Sequence, residues 1–196
     1  TSTQLYVAFQ LMAAPNCREL EGAYAVIWTT TPWTIPTNQG IAYAEGIEYA
    51  LIQLVSTGVV GWGDQESAAN ANPARKLFGR KFVIAKNLIP AFEKRLGAAF
   101  TGELTEEHSG SDVQVGFYTH ATYTADALAN ATARHPMHHL GGFFAKPRPF
   151  LPAAHVTTDA GTGLVHMAPD HGEEDFFACK ALGIDPVFAV QGDGKY

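Results

Sequence analysis

The chain has 196 residues, of which 46% are hydrophobic, 11% aromatic and 16% charged. A chain of this length buries roughly 70% of the surface that it exposes when unfolded, so it can hold a core without cross-links. Many aromatic and few charged residues exclude intrinsic disorder. With 13 Lys and Arg against 19 Asp and Glu, the net charge of −6 argues against a protein that grips nucleic acid by charge alone. Contact with one end of an RNA stays compatible with this charge.

The two cysteines and the N-terminal sequence further limit the class of protein and its compartment. Cys17 and Cys179 lie far apart and belong to no CxxC or Cys–His motif. This argues against a disulfide framework and a cysteine-built zinc site, and it indicates a reducing compartment. No apolar run approaches the roughly 18 residues of a transmembrane helix. The chain begins at Thr1 without a signal-peptide pattern, so we expect a fragment of a longer protein.

The first half of the chain is predicted to be rich in short strands, because apolar residues alternate or cluster in short runs. Strands are predicted at residues 6–12, 24–28, 41–43, 48–55 and 82–85. Residues 61–74, rich in Gly, Ala, Asn and Asp, predict a loop.

The second half mixes strands with two helices. Asn87 is predicted to cap a helix over residues 88–96, and acids at one end with Lys180 near the other predict a helix over residues 173–182. The other predictions are a strand at 113–117, an irregular stretch at 135–152, a hairpin of 153–158 with 162–167 that turns at Asp159-Ala160-Gly161, and a strand at 187–190. Together these elements predict an α+β, β-rich fold, with a β-barrel or sandwich core and a few short peripheral helices.

Side-chain hydroxyls are concentrated in residues 28–38, WTTTPWTIPTN, at a predicted strand end and the loop after it. Five threonines and Asn38 can donate or accept hydrogen bonds, while Pro32 and Pro36 stiffen the loop. Such a group suits an ester carbonyl, a ribose hydroxyl or an ordered water. The alternative is a strand-favouring run that ends in an ordinary proline turn, since Thr is common in strands.

Ionisable groups are concentrated in residues 161–176, GTGLVHMAPDHGEEDF. The pattern predicts a strand that carries His166 near its end, a turn, and a helix that starts with three acids. His166 could orient water, and the helix dipole should keep Asp175 ionised as a receptor for a substrate ammonium. The alternatives are a core histidine, a simple dipole effect for Asp175, and a capping box of Asp170 with Glu173.

Other kinds of site have weaker support. His166 and His171 are five apart, and a second histidine cluster comprises His135, His138 and His139, but HExxH and paired cysteines are absent. The sequence also lacks GxSxG, GxGxxG and the P-loop pattern. We therefore expect no metal and no cofactor.

The two stretches, in this order, closely resemble the two signature segments of the editing domain of isoleucyl-tRNA synthetases, which is inserted into the Rossmann-type core of these class I enzymes. VAF at 7–9, FVIAKNL at 82–88 and HVTTDAGTG at 155–163 also match, so the resemblance covers nearly the whole chain. Valyl enzymes usually carry Lys at the position of His166, and leucyl enzymes typically read TTRPDT in the first segment. Met167 departs from the commoner Thr. The HIGH and KMSKS signatures are absent, so we expect no amino-acid activation.

The resemblance implies one editing domain over residues 1–196, with the class Ia editing-domain fold. It implies hydrolysis of valyl-tRNA(Ile), and of valyl-adenylate, while isoleucyl products are spared. Valine is smaller than isoleucine by one methylene, and a hydrophobic pocket gains only about 1–3 kcal/mol from that difference. Isoleucyl enzymes are the established example in which a second, hydrolytic site supplies the missing discrimination.

The resemblance also implies roles by position. His166 and Asp175 are the catalytic candidates: Asp175 would bind the α-ammonium, and His166 would reject isoleucine and place substrate or water. The remaining substrate-binding candidates are Thr29, Thr30, Thr31, Thr34 and Asn38. A positioned water, helped by a ribose hydroxyl, would attack without a metal.

The implied partners are the 3′ end of tRNA(Ile) carrying valine, valyl-adenylate and the rest of the parent synthetase. We expect a cytoplasmic monomer without membrane contact. The alternatives are the editing domain of a valyl-type synthetase, a metal-dependent hydrolase that uses His166 and His171, and a non-catalytic RNA-binding module on the same fold.

Overall fold

The computed structural model describes residues 4–60, 76–101 and 112–188. Within these ranges the chain forms short strands and two α-helices, joined by 3₁₀ turns. The strands are β1 (Leu5–Ala13), β2 (Tyr24–Thr29), β3 (Gly40–Tyr43), β4 (Tyr49–Val60), β5 (Lys81–Ala85), β6 (Asp112–Tyr123), β7 (Thr132–Arg134), β8 (Arg148–Pro152) and β9 (Val165–Met167). The helices are α1 (Ile89–Thr101) and α2 (Glu173–Ala181). No helix in the described ranges is long and apolar enough to cross a membrane.

The strands form one mixed sheet in the order β6-β4-β5-β2-β1-β7-β8-β3-β9. Most neighbours are antiparallel, whereas β2 with β5 and β3 with β8 run parallel. The sheet curls until β9, at its edge, comes back into contact with β2. This curl makes the core barrel-like, and the prediction of a β-rich α+β fold with few short helices is confirmed.

Both faces of the central strands are buried, which explains their apolar runs. In β5, Val83 and Ala85 point into the main core, which also holds Phe9 and Ile27. Phe82 and Ile84 point the other way, into a second core with Phe92 of α1. A strand covered on both faces reads as a continuous apolar run rather than an alternating one.

A third, smaller core places α2 beside the edge of the sheet. Cys179 of α2 is fully buried and belongs to one cluster with Met167 of β9 and Leu151 of β8. Burial of such side chains contributes about 1.5–3 kcal/mol for each large one. The packing therefore holds the first turn of α2 close to the end of β9.

The Gly161-Thr162-Gly163 segment joins the loop before β9 to the central sheet. Gly163 has φ of +71°, and a Cβ there would lie 2.4 Å from the Cβ of Ala85. The Ala85 N–H donates to the Thr162 carbonyl at 2.8 Å, and the Tyr49 hydroxyl donates to the Gly163 carbonyl at 2.8 Å. Glycine is required here because any side chain would be both strained and blocked.

This junction explains why the predicted hairpin of 153–158 with 162–167 is wrong. The backbone at 162 is committed to β5, and β9 pairs instead with β3, where His166 lies opposite Ile41. These partners are far away in the chain, so a local turn signal could not reveal them.

Smaller predictions also need correction. Asn87 does not cap α1: it lies in a 3₁₀ turn before the helix and donates to the Thr158 hydroxyl at 2.9 Å. The stretch 135–152, predicted as irregular, contains β8, and β7 was missed. Residues 187–188 are not a strand, while 189–190 and the predicted loop at 61–74 lie outside the described residues.

Candidate active site

The two chemically distinctive stretches meet at one cavity of about 300 Å³. One wall is formed by the end of β2 and the 3₁₀ helix Pro32–Thr37, and the other by β9, the turn after it and the start of α2. The cavity is lined by Trp28, Thr29, Thr31, Trp33, Thr34, Val165, His166, Ala168, His171 and Asp175. Contact between β2 and β9, which closes the curled sheet, brings the two walls together.

The hydroxyl-rich wall is the one formed by the end of β2 and the 3₁₀ helix Pro32–Thr37. Two of its threonine hydroxyls donate to carbonyl groups of the same segment. The Thr34 hydroxyl donates to the Thr31 carbonyl at 2.8 Å, and the Thr37 hydroxyl donates to the Thr34 carbonyl at 2.9 Å. The Thr31 N–H donates to the Thr29 hydroxyl at 3.0 Å. Such local side-chain bonds satisfy backbone groups that a short helix leaves unpaired. The alternative interpretation, an ordinary strand end followed by a proline turn, therefore accounts for part of this threonine run.

His166 is buried between the two walls, with 7% of its surface exposed. Its Nε2 lies 2.8 Å from the Thr34 hydroxyl, and its Nδ1 lies 3.2 Å from the Asn38 amide nitrogen. Burial, reinforced by nearby His135 and His171, lowers the pKa of His166 to about 4, so the ring is neutral at pH 7. Because both nitrogens already face protein groups, the ring meets the cavity as a fixed, uncharged surface.

Asp175 occupies the first turn of α2 and turns back toward the loop. Its Oδ2 accepts the Ala168 N–H at 2.8 Å. Burial raises the pKa of this carboxyl above its ordinary value, while the bond from Ala168 and nearby His155 oppose the rise. The helix dipole predicts an ionised carboxylate, whereas desolvation in the folded protein acts in the opposite direction on its pKa.

The local geometry of the turn allows this placement. The residue before α2 is Gly172, and a Cβ there would lie 3.3 Å from the Asp175 Cγ. No side chain caps the helix, so the capping box of Asp170 with Glu173 is wrong. Asp170 instead lies 3.7 Å from Nε2 of the adjacent His171.

The cavity contains five of the seven predicted site residues: Thr29, Thr31, Thr34, His166 and Asp175. Thr30 and Asn38 are not among the lining residues. Asn38 is fully buried and contacts the far side of the His166 ring. A pattern of adjacent polar residues cannot tell which of them face a cavity, because that depends on the path of the backbone.

His155 is a neighbour of the site that sequence reasoning missed. Its Nε2 lies 4.0 Å from Oδ1 of Asp175 and is buried without a hydrogen-bond partner in the described structure. The available signal was its membership of the HVTTDAGTG segment, since no spacing rule links residues 155 and 175. His155 thus adds a second ionisable group beside the carboxylate.

The second histidine cluster, His135, His138 and His139, is not among the residues that line the cavity. His135 is fully buried, with Nε2 3.0 Å from the Ile35 carbonyl and Nδ1 accepting the Met137 N–H at 3.0 Å. Burial lowers its pKa to about 4. Within the described ranges, no group of three or more His, Cys, Asp or Glu side chains is placed to hold a metal ion.

The fold defines the class of this protein. The editing domain of the cytosolic leucyl-tRNA synthetase of P. falciparum superposes with a TM-score of 0.53 at 10% identity, over 87% of this chain and 48% of that one. The domain GlLeuRS-CP1 superposes with a TM-score of 0.50 at 14% identity, over 82% of this chain and 44% of that one. At these identities the likeness shows the fold alone, which is that of an aminoacyl-tRNA synthetase editing domain.

Sequence relatives give the particular family. The isoleucine--tRNA ligase of Zymomonas mobilis is 41% identical over 195 residues, and that of Gluconobacter oxydans is 36% identical over 196 residues. Each alignment covers 100% of this chain but 17% of the enzyme. No family model matches the chain. The chain belongs to the isoleucine--tRNA ligase family, as a homologue of one segment of these enzymes.

Proposed function

We propose that residues 1–196 form an editing domain that hydrolyses valyl-tRNA(Ile) and valyl-adenylate and spares isoleucyl products. The observation that carries this proposal is the pairing, in one cavity of about 300 Å³, of a partly buried carboxylate, Asp175, with the buried neutral imidazole of His166. Family membership supports the editing class, and the two side chains supply the chemistry for a small amino-acid ester.

Asp175 would receive the α-ammonium of the aminoacyl group. Its Oδ2 accepts the Ala168 N–H, while among the described residues the nearest partner of Oδ1 is His155 Nε2 at 4.0 Å. An ammonium at Oδ1 would supply the positive partner that a buried carboxylate needs, and it would lower the raised pKa of Asp175. This contact would set where the ester lies.

Water would be the nucleophile. Its oxygen attacks the carbonyl carbon of the ester, the bond from that carbon to the ribose oxygen breaks, and the ribose oxygen takes the proton that water releases. A neighbouring ribose hydroxyl can relay this proton. The hydroxyls of Thr29 and Thr31, 3.1 Å apart at the cavity, would hold the water or the carbonyl oxygen. The rate would come from positioning and fixed dipoles.

His166 would act as the size filter. Its ring lines the cavity and is held at both nitrogens, so it cannot easily move aside for an extra methylene. A rigid wall that clashes with isoleucine adds a repulsive element, which discriminates more strongly than a lost contact. Valine would fit where isoleucine does not.

The rest of a parent synthetase would deliver the 3′ end of the tRNA. The net charge of −6 argues against nucleic-acid binding by charge alone. We propose that it acts as a cytoplasmic monomeric unit that contacts the terminal nucleotide and the amino acid.

The test is a single-turnover deacylation assay with the chain in excess over Val-tRNA(Ile) or Ile-tRNA(Ile), in the presence of EDTA. We expect rapid loss of valine and slow loss of isoleucine. Equal loss of both amino acids, or hydrolysis that appears only after a metal ion is added, would contradict the proposal. If neither ester is cleaved, binding of a non-hydrolysable valyl-adenosine analogue separates a missing delivery step from a wrong assignment.

A further inference from the structure

Asn38 lies behind the cavity and contacts His166 from the protein interior. Its side chain is fully buried, and its amide Nδ2 donates to the Gly40 carbonyl at 2.8 Å. The same Nδ2 lies 3.2 Å from Nδ1 of His166, while Asn38 Oδ1 is buried without a hydrogen-bond partner among the described residues. The amide cannot be reversed, because Oδ1 would then face the Gly40 carbonyl oxygen. Nδ2 therefore uses its two protons on Gly40 and on His166.

Thr34 defines the proton on the other side of the ring. A threonine hydroxyl has one proton to donate, and here it goes to the Thr31 carbonyl at 2.8 Å. The 2.8 Å contact between the Thr34 Oγ1 and the His166 Nε2 must then be donated by Nε2–H. Nδ1 is the bare nitrogen, and it accepts from Asn38.

This arrangement keeps positive charge away from the ammonium site. A proton on Nδ1 would face the Nδ2 protons of Asn38, and His135 and His171 oppose it electrostatically. Asp175 is the acidic residue among the described side chains that line the cavity, and a protonated His166 would neutralise part of its field. A neutral ring leaves the carboxylate free for the substrate.

We propose that Asn38 is a positioning residue, which holds His166 neutral with its proton on Nε2 and affects the substrate only through that ring. The effect on editing rests on the proposed function, whereas the protonation state does not. This role differs from the direct substrate contact that the resemblance implies for Asn38.

The test is nitrogen NMR of the full chain with ¹⁵N-labelled histidine, with signals assigned by His166→Gln. In the unmodified protein we expect His166 to show a protonated Nε2 and a bare Nδ1, without titration between about pH 5 and pH 8, where an ordinary histidine titrates. His135 is the internal control, because its Nδ1 also accepts an N–H. A proton on Nδ1 of His166, or an imidazolium at pH 7, would overturn the proposal.

Asn38→Asp gives the second measurement. A carboxylate at this position accepts rather than donates, so we expect Nδ1 of His166 to become protonated at pH 7 while the His135 signals stay unchanged. Thr34→Ser is the matched control, since it keeps the hydroxyl. An Asn38→Asp spectrum like that of the unmodified protein would contradict the proposal. If this variant does not fold, the His166 tautomer measured in the unmodified protein still tests the proposal.

Kinetics separate this inference from the proposed function. Asn38→Asp should slow valyl-tRNA(Ile) hydrolysis by about tenfold or more, and its rate should acquire a titration step near neutral pH that the unmodified chain lacks. If the unmodified chain shows the expected tautomer but no hydrolysis, the proposed function fails and the positioning role stands. The wrong tautomer together with valine-specific hydrolysis would overturn the positioning role and support the proposed function.

Discussion

The two walls of the cavity are built on different principles. In the hydroxyl-rich wall, the protons of Thr34 and Thr37 are consumed by the backbone of their own 3₁₀ helix. In the ionisable wall, formed by β9, the turn after it and the start of α2, Asp175 Oδ1 has no short bond to the described residues, and its charge is only partly compensated. We therefore expect the first wall to contact substrate mainly through Thr29 and Thr31, and the second to combine the charge of Asp175 with the rigid ring of His166. Hydroxyl density in a sequence is therefore a poor guide to how many hydroxyls reach a substrate.

The largest expected effect comes from removing the charge of the ionisable wall. Asp175→Asn should lower kcat/KM for valyl-tRNA(Ile) by about 30-fold or more, because truncating one partner of a buried charge pair costs about 2–5 kcal/mol. Stability should not fall, since the amide oxygen can still accept the Ala168 N–H and a buried charge is gone. Glu174→Gln, on the exposed side of the same turn, is the control for the deacylation assay. An unchanged rate in Asp175→Asn would mean that the ammonium is bound elsewhere.

The junction that positions the ionisable wall is the second test. Gly163→Ala should reduce the free energy of unfolding by about 2–4 kcal/mol, since it combines an unfavourable φ with a 2.4 Å clash against Ala85. Gly183→Ala is a matched control: its φ is +72°, but a Cβ there meets nothing within 4 Å. It should cost about 1 kcal/mol. Equal losses in urea unfolding would show that the close contact contributes nothing.

The buried histidines make stability depend on pH. Burial lowers the pKa of both His135 and His166 from 6.5 to about 4, so below pH 6.5 the unfolded chain binds protons that the folded chain does not. The free energy of unfolding should fall as the pH drops from about 6.5 to about 4, by up to about 1.4 kcal/mol per pH unit for each histidine. Above about pH 6.5 both rings are neutral in the folded and the unfolded chain, so neither makes the free energy of unfolding depend on pH. Urea unfolding at several pH values measures the slope, and His166→Gln should remove about half of it.

The hydroxyl-rich wall gives the smallest expected effects. Thr37→Val should cost about 1–2 kcal/mol of stability without changing the preference for valine, because Thr37 is buried and bonds to the Thr34 carbonyl. Thr31→Val should slow hydrolysis with little loss of stability, because Thr31 is exposed and lines the cavity. The two variants are compared by melting temperature and deacylation rate. If Thr37→Val slows hydrolysis and Thr31→Val does not, the Thr37 hydroxyl rather than the Thr31 hydroxyl acts on the substrate.

Local pattern was enough for the features that depend on near neighbours. The strands at β1, β2 and β5 follow from runs such as residues 24–28, and α2 follows from its leading acids and trailing Lys180. The α+β, β-rich class also follows, because many short strands with few helices have few ways to bury their apolar faces. The residue pattern of 161–176 and the family resemblance both singled out His166 and Asp175, which the structure brings to one cavity.

The tertiary structure alone decided which polar groups face each other. Thr34 and His166 are 132 residues apart in the chain, and their contact exists because the curled sheet returns β9 to β2. Tertiary packing also buries Asn38, brings His155 to Asp175 and withdraws His166 from water, which sets its charge. Secondary structure depends on short-range sterics and hydrogen bonds, whereas burial and ring protonation depend on distant packing. By itself the sequence determined many of the strands and the residue types of this site, and folding determined what each residue can do.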